Sequence, residues 1–297
     1  MLQVEHISKR YGTTLALDNV ALTIPKGVCY GLIGPNGSGK STLIKIISRI
    51  IRQYDGKVEF VGNENGRLGY VPQDISLEEK LTAKKNMEFF GKIHGLNGSK
   101  LKQTTKKLLE DIGLSERAND DVVENFSGGM KRRLNIGCAL MHDPDLIILD
   151  EPTVGVDPQS RRYIFNIVNR LKKAGKTIIY VSHYMEEIET LCDYVAFIDR
   201  GQIIDEGEIN ELLKRHEESS IMFNSSLSHE LIKSHGFKFS VVNSGLIIKT
   251  KEPLETMERL IRISKENNIV PHQLFLYKPK LEDVFFKLTG TDLRDEE

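Results

Sequence analysis

Gly34-Pro35-Asn36-Gly37-Ser38-Gly39-Lys40-Ser41-Thr42 decides the fold of this 297-residue chain. The stretch fits the spacing G-x-x-x-x-G-K-[ST], and its flanks are those the spacing requires. Before it runs Val28-Cys29-Tyr30-Gly31-Leu32-Ile33, an apolar run that reads as a buried strand. After it, Leu43-Ile44-Lys45-Ile46-Ile47 opens a helix. The glycines let the backbone curl so that successive N–H groups converge on one anion. The helix start adds its unpaired N–H groups and the positive end of its dipole. Lys40 supplies a cation for the β- and γ-phosphates of a nucleotide, and the Ser41 hydroxyl is placed to hold Mg²⁺. Strand, phosphate loop and helix together predict nucleotide binding.

A phosphate loop alone leaves kinases, GTPases and many ATPases open, and the rest of the chain narrows them. Leu146-Ile147-Ile148-Leu149-Asp150-Glu151 is an apolar run ending in two carboxylates, the form of a central parallel strand delivering acids at its C-terminal end. Asp150 would bind Mg²⁺, directly or through water, and Glu151 is the candidate general base for an attacking water. Upstream, Asn125-Phe126-Ser127-Gly128-Gly129-Met130-Lys131-Arg132-Arg133-Leu134 is a second glycine turn opening a second helix. Downstream come Gly155-Val156-Asp157 and then Ile178-Ile179-Tyr180-Val181-Ser182-His183, another buried strand ending in a histidine.

In that order the motifs resemble the ATP-binding subunit of an ATP-binding cassette (ABC) transporter, over roughly residues 2–210. Ser127-Gly128-Gly129 is similar to the ABC signature, with Met130 where glutamine is usual. Asp157 resembles the D-loop aspartate, Gln73 the Q-loop glutamine and His183 the switch histidine, while Tyr11 resembles the aromatic that stacks on adenine. The resemblance implies that Gly34 to Thr42, Tyr11, Ser127, Gly128, Gly129 and Asp157 contact ATP, two subunits sandwiching two ATP molecules head to tail. It implies that Gln73, with Ser41 and Asp150, serves Mg²⁺ and water, and that His183 helps Glu151 at the γ-phosphate.

Composition sets outer bounds. The net charge of −1 gives no basic groove for nucleic acid, so no nucleic-acid partner is expected. No apolar run approaches the ~20 residues a membrane helix needs. The opening Met1-Leu2-Gln3-Val4-Glu5-His6 lacks signal-peptide character, so the expected location is the cytoplasm, with any membrane span on another chain. Cys29, Cys138 and Cys192 are widely spaced in sequence and form no metal pattern; Cys138 shares helical spacing with Leu134 and Met141 and reads as core.

The fold expected is α/β: a P-loop NTPase core with a mostly parallel sheet, an antiparallel β subdomain, a helical insert and a small α+β C-terminal module. Residues 1–215 would be the nucleotide-binding domain, with the helical subdomain at about 74–130. Leu2 to Pro25 and Lys57 to Val61 read as antiparallel strands flanking the nucleotide. Thr82 is placed to cap a helix bearing Met87, Phe89, Phe90 and Ile93, and Ser99 to cap the next, which Gly113 ends. Residues 216–297 read as β-α-β-β-α-β followed by an amphipathic helix around Leu281 to Gly290. Val284, Phe285 and Leu288 form its apolar side, which needs a cover from its own sheet or from a second subunit, the second subunit being favoured.

That tail, and Glu151-Pro152-Thr153-Val154-Gly155-Val156-Asp157-Pro158, resemble the ABC-2 exporter group of antibiotic-resistance and sodium-efflux pumps. An ATPase of that group implies a separate ABC-2 permease, a homodimer of ATP-binding subunits and a place on the inner face of the cell membrane. The alternative is a soluble ABC ATPase of DNA repair, translation or iron–sulfur assembly. One phosphate loop, no long coiled coil and an added C-terminal module weigh against it. The cargo is not written in this chain.

Overall fold

The computed structural model describes residues 1–61, 67–216, 219–242 and 245–290. The chain divides into two compact units, Met1–Ile209 and Asn210–Gly290. In the first, β1 (Leu2–Tyr11) and β2 (Thr14–Ile24) pair antiparallel about a turn at Gly12, whose φ of 57° favours glycine. Then come β3 (Cys29–Ile33), α1 (Lys40–Ile47) and β4 (Asp55–Phe60), which pairs with the other side of β1. This three-stranded layer has the order β2-β1-β4.

The chain continues through β5 (Leu68–Val71), α2 (Ala83–Ile93), α3 (Gly98–Asp111), α4 (Gly128–Ala139), β6 (Leu146–Asp150) and α5 (Pro158–Lys173). It then runs through β7 (Thr177–Val181), α6 (Met185–Leu191), β8 (Tyr194–Asp199), β9 (Gln202–Glu208) and α7 (Ile209–Arg215). Six strands make the central sheet, β5-β6-β7-β3-β8-β9, parallel except for the antiparallel edge strand β9. Every residue of β3, β6 and β7 is buried. Both faces of these strands are covered, which is why they read as continuous apolar runs rather than alternating ones. Because the strands are parallel, their C-terminal ends share one edge. β3 ends just before Gly34, β6 at Asp150 just before Glu151, and β7 two residues before His183.

Between β5 and β6 the insert is helical. Thr82 caps α2 as expected, its Oγ1 accepting from Lys85 N at 3.3 Å. Ser99 does not cap α3: that helix begins at Gly98 with Asn97 at the cap position and no side-chain cap. Gly98 takes a φ of 57°, which turns the chain into the helix before Ser99 is reached. Gly113, at φ 67°, follows the C-cap of α3. Met87 is buried, but Phe89 and Ile93 are exposed, so the apolar surface of α2 is wider than its packed face.

The second unit takes in α7 from Asn210 onward and contains β10 (Ser220–Asn224), α8 (His229–Ser234), β11 (Phe239–Val242), β12 (Gly245–Lys249), α9 (Pro253–Glu266), β13 (Gln273–Tyr277) and α10 (Leu281–Thr289). Its antiparallel sheet has the order β11-β12-β10-β13. Ile221, Phe223, Leu246 and Ile248 on one sheet face pack with Ile232, Leu260 and Ile263 of α8 and α9. On α10, Val284 and Phe285 are each 1% exposed and Leu288 is half-buried. The expectation that Val284 and Phe285 await a second subunit is therefore corrected: one chain already covers them.

Candidate functional site

The phosphate loop owes its shape to two close backbone approaches. A Cβ on Gly34 would lie 2.0 Å from the Ile198 carbonyl oxygen, and one on Gly39 2.7 Å from that of Ala16. Neither backbone can retreat without moving a strand, so only glycine fits. Gly39 also takes a φ of 107° at the N-cap of α1, and Gly37 one of 77° in open space. No side chain caps α1 and its first turn holds no acidic residue, so nothing on this helix competes with an anion for its first N–H groups. Lys40 is 7% exposed, and its Nζ donates to the carbonyl oxygens of Gly34 at 2.7 Å and Pro35 at 2.9 Å. The ammonium is thereby held across the loop.

Asn36 to Thr42 line a cleft of ≈ 440 Å³ with Gln73, Asp150, Glu151 and His183. Asp150, the last residue of β6, is 4% exposed and accepts from Tyr70 Oη at 3.3 Å. Burial pushes its carboxyl above the ordinary value, although the Tyr70 bond and the Lys40 charge pull the other way. Glu151 has a φ of 48°, in the left-handed region that costs a residue with a Cβ ~1–3 kcal/mol. The Glu151 carboxylate is buried, and its Oε2 stands 2.9 Å from His183 Nδ1. Burial raises its carboxyl too, and the His183 bond offsets this only in part. A raised carboxyl in bond reach of an imidazole, facing a phosphate loop, suits a base that must take a proton from water.

The remaining residues singled out from sequence lie elsewhere. Tyr11 ends β1, half exposed, with Lys9 Nζ 5.2 Å from its ring centroid, and is not among the residues lining the cleft. Ser127 and Gly128 are exposed. Ser127 Oγ caps α4 by accepting from Met130 N at 3.3 Å. Asp157 caps α5, its Oδ1 accepting from Ser160 N at 2.9 Å. That backbone bond holds the Asp157 carboxyl below its ordinary value. A Cβ on Gly129 would lie 2.2 Å from Ser160 Oγ and 2.8 Å from Asp157 Oδ2, so the signature turn and the Asp157 turn form one surface. One chain thus carries two separate stations: the cleft, and this exposed glycine turn outside it.

Several residues at the site escape a reading of the sequence. Ala16, Val154 and Tyr184 line the cleft. Tyr184 follows His183, and their rings lie 4.0 Å apart. Arg132, only 6% exposed, donates from Nη1 to the carbonyl oxygens of Gln73 at 2.6 Å and Pro72 at 3.1 Å, tying α4 to the Gln73 segment. Burial lowers its guanidinium from the ordinary value. Adjacency to a motif could have signalled Tyr184; nothing local signals the reach of Arg132.

Comparison with known proteins shows the family of the chain. The family described as "ABC transporter" matches residues 17–154. The linearmycin resistance ATP-binding protein of Bacillus subtilis is 39% identical, the match covering 99% of this chain and 100% of that one. A Nod factor export ATP-binding protein of Cupriavidus metallidurans is 34% identical, with 99% of each chain covered. Among solved structures, a dimeric ATP-binding cassette in a post-hydrolysis state with ADP and phosphate is 25% identical at a TM-score of 0.64. That match covers 70% of this chain and 98% of the cassette. The chain belongs to the ABC transporter ATP-binding proteins: it is an ATP-binding and ATP-hydrolysing subunit of an ABC exporter.

Proposed function

We propose that this chain drives an exporter whose membrane-spanning part is a separate permease of the ABC-2 type, and that it works as a head-to-tail pair on the inner membrane face. No helix among the described residues is long and apolar enough to cross a membrane, which supports a partner for the span. The observation that carries the pairing is the separation of the two stations. The phosphate loop, Asp150, Glu151 and His183 share one cleft, while Ser127 and Gly128 are exposed outside it. The N-terminus of α4 is a second anion-binding end, and a second copy can bring it to the γ-phosphate.

Within each composite site Lys40 and the loop N–H groups hold the β- and γ-phosphates. Glu151 orients water and takes its proton, and His183 holds Glu151 in place and bonds the γ-phosphate. Tyr11, at the edge of the β1–β2 hairpin, stacks on adenine, and Asp157 meets the partner copy. Ser41, Gln73 and Asp150 offer hydroxyl, amide and carboxylate oxygens in one cleft, the hard donors Mg²⁺ prefers. The buried, raised Asp150 carboxyl is one a cation would return to its ionised form. Bound there, Mg²⁺ would neutralise phosphate charge. ATP binding closes the pair, hydrolysis lets it open, and the movement passes to the permease beside Gln73. The cargo belongs to the class for which the relatives are named, an antibiotic or a secreted factor. The domain from about residue 210 tunes this cycle and performs none of its chemistry.

Glu151→Gln tests the reading. The mutant should bind MgATP and hydrolyse it at least ~100-fold more slowly, the usual contribution of a positioned base. It should also form an ATP-dependent dimer in light scattering. Turnover at the wild-type rate would remove Glu151 as the base.

A further inference from the structure

Glu187 lies in α6, four residues after His183, and does not line the cleft. It is 2% exposed. A carboxylate so buried costs several kcal/mol unless its oxygens are bonded and its charge is paired. Oε2 accepts from Thr153 Oγ1 at 2.7 Å, Tyr180 Oη at 2.8 Å and Ser182 Oγ at 3.4 Å. Oε1 stands 3.4 Å from Arg161 Nε, an ion pair in which no N–H is aligned for a hydrogen bond.

What these partners are attached to matters more than their number. Thr153 comes two residues after Glu151, and Ser182 immediately precedes His183. Ser182 Oγ also accepts from Tyr184 N at 3.0 Å, fixing the residue on the other side of His183. Arg161 belongs to the first turn of α5, beyond Asp157, and its guanidinium lies 5.6 Å from the Tyr184 ring centroid. One carboxylate therefore joins the segment bearing Glu151, the segment bearing His183, and the helix that Asp157 caps. Burial and the Glu187 charge hold the Tyr180 hydroxyl well above its ordinary value, so it stays a donor.

We propose that Glu187 is a positioning residue for hydrolysis: by holding Thr153 and Ser182 on one oxygen it sets the distance between Glu151 and His183. This rests on the reading of Glu151 as the base. A misplacement of ~1 Å at a reacting group costs ~100-fold in rate, so loosening this junction falls on turnover rather than on nucleotide binding.

A double-mutant cycle on the full chain tests it, read by single-turnover hydrolysis of labelled ATP and by the affinity of a fluorescent ATP analogue. Glu187→Ala should lower turnover at least ~10-fold while changing nucleotide affinity less than ~3-fold. In the Glu151→Gln background the same change should cost nothing further, because the group it positions is already disabled. An equal fold-loss in both backgrounds would show a general structural role and overturn the proposal. Should Glu187→Ala fail to fold, Glu187→Gln and Thr153→Val carry the same cycle. Each removes part of the junction, the first its charge and the second one donor. Wild-type turnover by Glu151→Gln alone would instead overturn the base assignment, and this proposal with it.

Discussion

Exchanging each of the two signature glycines for alanine separates what the fold needs there from what catalysis needs. A Cβ on Gly129 would meet Ser160 Cβ at 2.5 Å and Ser160 Oγ at 2.2 Å. Rotating the hydroxyl relieves the second contact but not the first. Reaching ordinary contact at 3.4 Å requires α4 and the first turn of α5 to part by about 0.9 Å, the difference between the two distances. Forced expansion of a packed contact costs ~1–3 kcal/mol. Gly128→Ala meets only the Gly155 carbonyl oxygen at 4.0 Å and carries no such cost. Both changes gain a similar amount, ~0.4–1 kcal/mol, from restricting the unfolded chain. That gain cancels in the difference, so Gly129→Ala should be ~1–3 kcal/mol less stable than Gly128→Ala. Thermal unfolding should resolve this as a gap of about 2–12 °C in Tm, and adding Ser160→Gly should close most of it. Gly128→Ala should be stable and bind ATP, yet lose hydrolysis if a partner's γ-phosphate docks on that turn. Equal Tm values for the two variants would refute the steric argument, and full ATPase activity in Gly128→Ala would refute the docking.

Other outcomes follow from the same geometry. A base works ionised, and burial holds the Glu151 carboxyl above the ordinary glutamate range, so turnover should fall with decreasing pH on a limb above that of an exposed glutamate. His183→Ala removes an interaction that lowers this value and should move the limb still higher in a pH–rate profile. The linkage sign is that of a raised acid: the stability Glu151 contributes is present below its unfolded value and lost as pH rises through the folded one. At neutral pH Glu151→Gln should therefore match or exceed wild type in Tm even as hydrolysis fails, and a clear loss of Tm would contradict the burial argument. Tyr11→Ala should weaken binding of ATP and GTP alike by ~1–3 kcal/mol in equilibrium titration, as expected for one lost base stack; unchanged affinity removes Tyr11 from the site. A chain ended at Arg215 should still bind ATP while its regulation of turnover or its pairing changes; a folded truncation that binds none would end the two-domain reading.

Much of the site was legible because its chemistry is local. Gly34 to Thr42 is one continuous turn whose N–H groups, glycine conformations and lysine depend on neighbours a few residues away, so their spacing suffices to read it. The same holds for the strands ending at Asp150 and Val181, and for the β-α-β-β-α-β order of the second unit, where burial on one face or both writes the pattern of apolar residues. Short strands and exposed helix faces were harder. The four residues of β5 gave too little pattern to read, and Phe89 and Ile93 carry a helical spacing that marks a face but not whether anything covers it.

Sequence alone determined the phosphate loop, the order of the longer elements and the family they resemble, since each is encoded by residues near one another along the chain. Only the tertiary structure decided that β3 lies between β7 and β8, and so which strand ends share an edge. It decided that Arg132 reaches the Gln73 carbonyl 59 residues away, and that Cys29 and Cys192 sit with sulfurs 3.5 Å apart across 163 residues of chain. It also gathered Thr153, Tyr180, Ser182 and Arg161 around Glu187. Such contacts depend on how helices and strands pack in three dimensions, and a side chain at the end of a long packing path leaves no periodic trace in the sequence around it.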